Sequence, residues 1–92
     1  MKHQPTLLDA AVDLQRCIYA SFSEQGTNDP NFKIFLQHAK EIINQSKGSI
    51  DNKAFEVIES CLNKVEQPNT NLPKLREDLL MAASLLHNRP SN

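Results

Sequence analysis

Residues 72–89 read LPKLREDLLMAASLLHNR, and the reading of this stretch decides the fold. At 3.6 residues per turn, Leu72, Leu75, Leu79, Ala82, Ala83 and Leu86 form one stripe that can face a core. Leu80, Met81 and Leu85 point away from it. A helix with so much surplus is either the deepest member of a bundle or partly covered by a partner. Leaving a Leu-sized side chain exposed forgoes roughly 1.5–3 kcal/mol. The sequence weighs the two readings equally.

Working outward, Pro73 opens this helix with Leu72 at the cap position, and Asn88 and Pro90 close it. Residues 67–71 (QPNTN) separate it from a third helix, because Pro68 disfavours a helical Gln67. The third helix is capped by Ser49 or Asp51, with Ile50 set to pack back on Phe55. Phe55, Ile58, Cys61, Leu62 and Val65 make its stripe, against Lys53, Glu56, Glu59 and Lys64. Gly48 supplies a left-handed stop to the second helix. That helix starts at Asp29-Pro30 and buries Phe32, Phe35, Leu36, Ala39, Ile42 and Ile43, leaving Ile34 outside. Residues 24–29 (EQGTND) are a turn-rich break. The first helix is capped by Thr6 with Asp9; Leu7, Ala11, Leu14, Ile18 and Phe22 form its stripe, flanked by Leu8 and Tyr19. Asp9, Asp13 and Arg16 fall opposite. Four amphipathic segments with short connections predict an all-α, single-domain antiparallel four-helix bundle, up-down-up-down, over residues 1–92 with frayed ends at 1–5 and 90–92. Two hairpins splayed open to exchange with a second copy would carry the same pattern.

Composition narrows the function. Ten Lys/Arg against eleven Asp/Glu give a formal net charge of −1. Nucleic-acid binding needs a concentrated positive field, which is missing, so nucleic acid is disfavoured. No run approaches the roughly 20 apolar residues of a membrane span. Asp9 and Asp13 interrupt any signal-peptide core, so a cytoplasmic chain is expected; an effector exported by another route would look the same.

Chemistry-bearing residues are sparse. His3, His38 and His87 share no ligand spacing, and Glu56 with Glu59 reads as a solvated acidic face, so neither a metal nor a cofactor is implied. Cys17 and Cys61 read as small buried hydrophobes without a thiolate-favouring setting. No nucleophile motif or phosphate-cradling glycine loop is present, and no small-molecule substrate is evident. The expectation is not an enzyme.

His38 lies on the polar side of the second helix, and a histidine so placed in a small helical bundle resembles the histidine phosphotransfer domains. That resemblance implies phosphorylation at His38. The chain departs from the motif: Lys40 is at the wrong offset, Glu41 would repel phosphate, and Ile42 stands where a small residue belongs. The segment FLQHAKEIINQSKG is similar to the small intracellular bacteriocin immunity proteins through Leu36, Ala39, Lys40 and Ile43, over about a quarter of the chain. It implies a non-catalytic protective complex; the basic surplus and aromatic tail of that family are lacking. The main expectation is a non-enzymatic helical interaction protein of a bacterium or phage, an adaptor, chaperone, inhibitor or regulatory subunit. It would bind a protein partner or form a homodimer through Leu80, Met81 and Leu85, with Ile34 added from the second helix.

Overall fold

Thr6 starts the first helix by a reciprocal cap. Its hydroxyl accepts from the Asp9 N–H at 3.3 Å, and its own N–H donates to the Asp9 carboxylate at 2.8 Å. The computed structural model describes residues 6–67 and 71–87. Within them the chain forms α1 (Leu7–Ala20), α2 (Pro30–Gln45), α3 (Asn52–Val65) and α4 (Leu72–His87), with no strand among the described residues.

Each start has its own chemical cause. Asp29 accepts from the Asn31 N–H, with Pro30 at the first helical position. Asp51, not Ser49, caps α3 by accepting from Lys53 and Ala54. Asn71 caps α4, accepting from the Lys74 N–H at 3.1 Å. Leu72 is therefore the first residue of α4 rather than its cap.

The stops differ more from expectation. Gly48 does not take a left-handed conformation; among the described residues only Gly26, in the turn Gly26–Asn28, has a positive φ. The second helix ends at Gln45, and the backbone tightens into a turn over Lys47–Ser49 closed by Ser49 N–H to Ser46 O at 2.8 Å. The expected stop signals at Pro68, Asn88 and Pro90, His3 and the frayed ends at 1–5 and 90–92 lie outside the described residues.

Antiparallel packing follows from which ends meet. On α1 and α2, Asp13 meets His38 and Cys17 meets Phe32. On α1 and α4, Ser21 meets Arg76, while Leu7, Leu8, Leu86 and His87 line one cavity at the opposite end. The result is an antiparallel four-helix bundle, up-down-up-down, flattened to 40 × 33 × 17 Å. The packing is uneven. The α1 helix packs on both α2 and α4, and α4 also on α3, whereas α2 and α3 have only marginal backbone proximity. A groove of about 540 Å³ runs between those two, lined by Phe32, Leu36 and Val65 and bridged by the Lys40–Glu66 ion pair at 2.7 Å.

The core takes Leu14, Ile58, Leu75 and Leu79 at its centre, as the apolar spacing predicts. The α1 stripe is rotated from the sequence reading. Phe22 lies beyond the end of α1 and is 65% exposed, while Asp13, assigned to the polar face, is 3% exposed. Asp13 turns toward α2 because a histidine there supplies its partner.

Candidate functional site

The α4 stripe packs as its spacing requires: Leu75, Leu79, Ala82, Ala83 and Leu86 are buried, with Leu72 at the edge. Of the surplus residues, Leu80 is 54% and Met81 53% exposed. Leu85 is half-buried and packs against the core, because the buried arc of α4 extends on its α3 side to include Asp78 and Leu85. Ile34 is exposed, but it stands on α2, the helix that makes no substantial contact with α4. The structure does not bring Ile34 together with Leu80 and Met81.

It brings α1 residues there instead. Asp13 and Cys17 occupy the α1 flank that faces α2. Leu8, Val12 and Tyr19 fall at helical spacing on the other flank, toward α4, and all three are exposed. Phe22 continues this surface past the helix end, with the Arg76 guanidinium of α4 stacked 3.8 Å from its ring centroid. The same guanidinium donates to Ser21 Oγ at 2.8 Å and to the Ser21 carbonyl at 3.2 Å. Its charge therefore sits at the carbonyl end of α1, where the helix dipole favours a cation. On the far flank of α4, Met81 falls on the side of α3, whose Val57 is also exposed. Exposed apolar side chains thus flank α4 on both sides, Leu80 toward Leu8 and Val12 of α1 and Met81 toward Val57 of α3, with the exposed Glu77 and Ser84 between them. The α1 side chains were legible as the flanking positions Leu8 and Tyr19, but only the packing order of the helices places them beside α4.

The second cluster lies between α1 and α2. The Asp13 carboxylate accepts from His38 Nδ1 at 2.5 Å and lies 3.7 Å from the Arg16 guanidinium. His38 and Arg16 are about half exposed, at 50% and 57% of their side chains. Arg16 also lies 5.5 Å from the Phe35 ring centroid, one turn before His38 on α2. Sequence reasoning placed His38 on the surface correctly and missed Asp13. No local signal marks it, since its partner is 25 residues away.

Neither cysteine is a ready nucleophile. Burial, with the Asp13 carboxylate adding to it, pushes the Cys17 thiol up to about 12, and its Sγ–H donates to the Phe32 carbonyl at 3.5 Å. Cys61 is raised too, by burial first and then by the Asp78 carboxylate, with Lys64 and Lys74 pulling the other way. Both are free thiols, and a disulfide between them is not formed. Asp78 itself is buried on α4. One of its oxygens is 4.0 Å from Lys74 Nζ, and the other has no hydrogen-bond partner.

Among the described residues no group of His, Cys, Asp or Glu converges in the way a metal ion requires, and no helix is long and apolar enough to cross a membrane. No family model matches the chain, and no curated protein or solved structure is significantly similar to it.

Proposed function

We propose that the protein is a non-enzymatic interaction module that binds a protein partner, or a second copy of itself, through the apolar surface around α4. The observation that carries the reading is the exposure of Leu80 and Met81, each more than half open, with Leu8, Val12 and Tyr19 exposed on the flank of α1 toward α4. Side chains of that size gain roughly 1.5–3 kcal/mol each on burial, so covering several of them supplies the apolar centre of a modest interface. Leu80 and Met81 are the anchors, and Leu8 and Tyr19 extend the contact. Ile34 takes no part in it, and Leu85 contributes from within, by holding α4 in place.

The test pairs Leu80→Asp/Met81→Asp with Ile34→Asp. Light scattering gives the mass in solution. A photo-crosslinking side chain at position 80 reports a discrete adduct with whatever covers the face. Loss of the complex and of the adduct in the α4 variant, but not in Ile34→Asp, is the expected outcome. A monomer with no adduct at position 80 in cells that express it naturally refutes the reading.

A further inference from the structure

The helices form an open arc. In the order α2, α1, α4, α3 each packs on the next, so α1 and α4 have two helical neighbours, while α2 and α3 have one each and meet only marginally. Two compartments lie along the gap between α2 and α3. The larger, about 540 Å³, has Phe32, Leu36 and Val65 in its lining; the smaller, about 90 Å³, has Ile43, Phe55 and Leu62. Lys40 lines both, and its ion pair with Glu66 bridges the gap.

The two rims carry opposite charge. On α2 the groove side presents Lys33 and Lys40 with the neutral Gln37 and Asn44, while Glu41 falls outside it. On α3 the groove side presents Glu59 and Glu66 with Asn63, while Lys53 and Lys64 fall on other faces. Lys33 and Glu59 have no ionic partner among the described residues, and Lys40 and Glu66 have only each other. Their side chains are 32% and 44% exposed, and an ion pair so open to solvent adds little to stability. An all-acidic or all-basic ligand meets one rim of its own sign. A second copy that laid its basic rim on the acidic one would set groove on groove and leave both floors uncovered.

We propose that the groove between α2 and α3 is a docking site for one amphipathic helix of a partner protein. Its inner ridge is apolar, the flank that meets Lys33 and Lys40 is acidic, and the flank that meets Glu59 and Glu66 is basic. Seated there, it gives α2 and α3 their second neighbour and closes the arc as a fifth member. Lys40 and Glu66 trade each other for partners on the incoming helix, so opening the bridge costs little. From Phe32 to Ile43 the floor spans about 16 Å of α2, which matches about three turns of ligand. The rims also fix direction: turning a helix end for end exchanges its flanks, and only one direction sets acid over α2. The site shares no residue with the α4 surface.

The probes are synthetic peptides of about 18 residues, long enough to hold a helix on binding. All have a leucine ridge. One carries glutamate on its left flank and lysine on its right, a second has the flanks interchanged, and a third has lysine on both. Calorimetry gives affinity, amide shifts map the site, and a nitroxide at the peptide N-terminus reads direction from the end of the groove it broadens. The two mixed peptides are expected to dock in opposite directions, one broadening amides near Asn28 and the other those near Asn44. The all-lysine peptide should bind at least roughly tenfold more weakly. The combined exchange Lys33→Glu, Lys40→Glu, Glu59→Lys and Glu66→Lys keeps the net charge and the bridging pair with its signs reversed, and should reverse the direction of each mixed peptide. No shift of groove amides with any peptide, one shared direction for both mixed peptides, or equal affinity for the all-lysine peptide would overturn the proposal. So would shifts confined to α4 around Leu80 and Met81, or light scattering that shows a dimer with the groove amides protected.

Discussion

Replacing Asp78 by alanine should make the protein more stable. Asp78 is 6% exposed, and one carboxylate oxygen has no hydrogen-bond partner. An orphaned buried acceptor costs about 1–3 kcal/mol. Alanine also suits a helix interior better than aspartate, by about 0.5 kcal/mol. Against this stands the contact with Lys74 at 4.0 Å, whose side chain is 61% exposed. Screening by solvent limits such a pair to about 0–1 kcal/mol. The balance is a gain of about 2 kcal/mol, or roughly 8–16 °C in Tm for a domain of this length. Urea unfolding followed by helical circular dichroism measures it. The same variant has a second readout: without the Asp78 carboxylate the Cys61 thiol titrates lower, so its alkylation begins at a lower pH. Asp13→Ala is the contrast. Asp13 is as deeply buried but has His38 and Arg16 as partners, so its removal should cost about 1.5–3 kcal/mol. If Asp78→Ala loses stability as Asp13→Ala does, satisfaction of the carboxylate is not what separates the two sites, and the reasoning fails.

Stability should also fall in alkali. The Cys17 thiol is raised from an ordinary 9.0 to about 12, so its contribution is complete below pH 9.0 and is lost as the pH climbs toward 12. Cys17→Ala should flatten that part of a Tm-against-pH profile. Arg76→Ala removes two hydrogen bonds to Ser21 and the stack on Phe22, and should cost about 2–3 kcal/mol by chemical denaturation; less than about 0.5 would mean that solvent satisfies the end of α1 equally well. Thr6→Ala should cost about 1 kcal/mol through its cap, seen as faster amide exchange in the first turn of α1. Lys40→Ala, at a half-exposed ion pair, should change stability by no more than about 1 kcal/mol, with the difference fading in high salt.

The helices and their apolar stripes were legible because 3.6-residue spacing is a local property. Thr6, Asp29 and Asp51 are within three residues of the groups they cap; the first two could be read directly, and the third was narrowed to Ser49 or Asp51. What failed was non-local. Asp13 looks solvated until His38 is placed across from it, and Leu85 looks surplus until α3 is packed beside α4. Gly48 carries the composition of a left-handed stop, but Ser46 ends the helix before it is reached. For the site, exposure of Leu80 and Met81 followed from counting apolar residues against the stripe. The α1 half of the surface depends on the order in which helices neighbour one another, and helical periodicity carries no information about that.

The marginal contact between α2 and α3 bears on how the chain could be rewired. The most extensive contacts between distant parts of the sequence join α1 to α4, while Leu7 and Leu86 line a common cavity. A circular permutant that is cut in the turn Lys47–Ser49 and joins His87 to Thr6 through a flexible linker would run α3-α4-α1-α2. Its strongest tertiary seam would then be a local hairpin, lowering contact order and, with it, the barrier to folding.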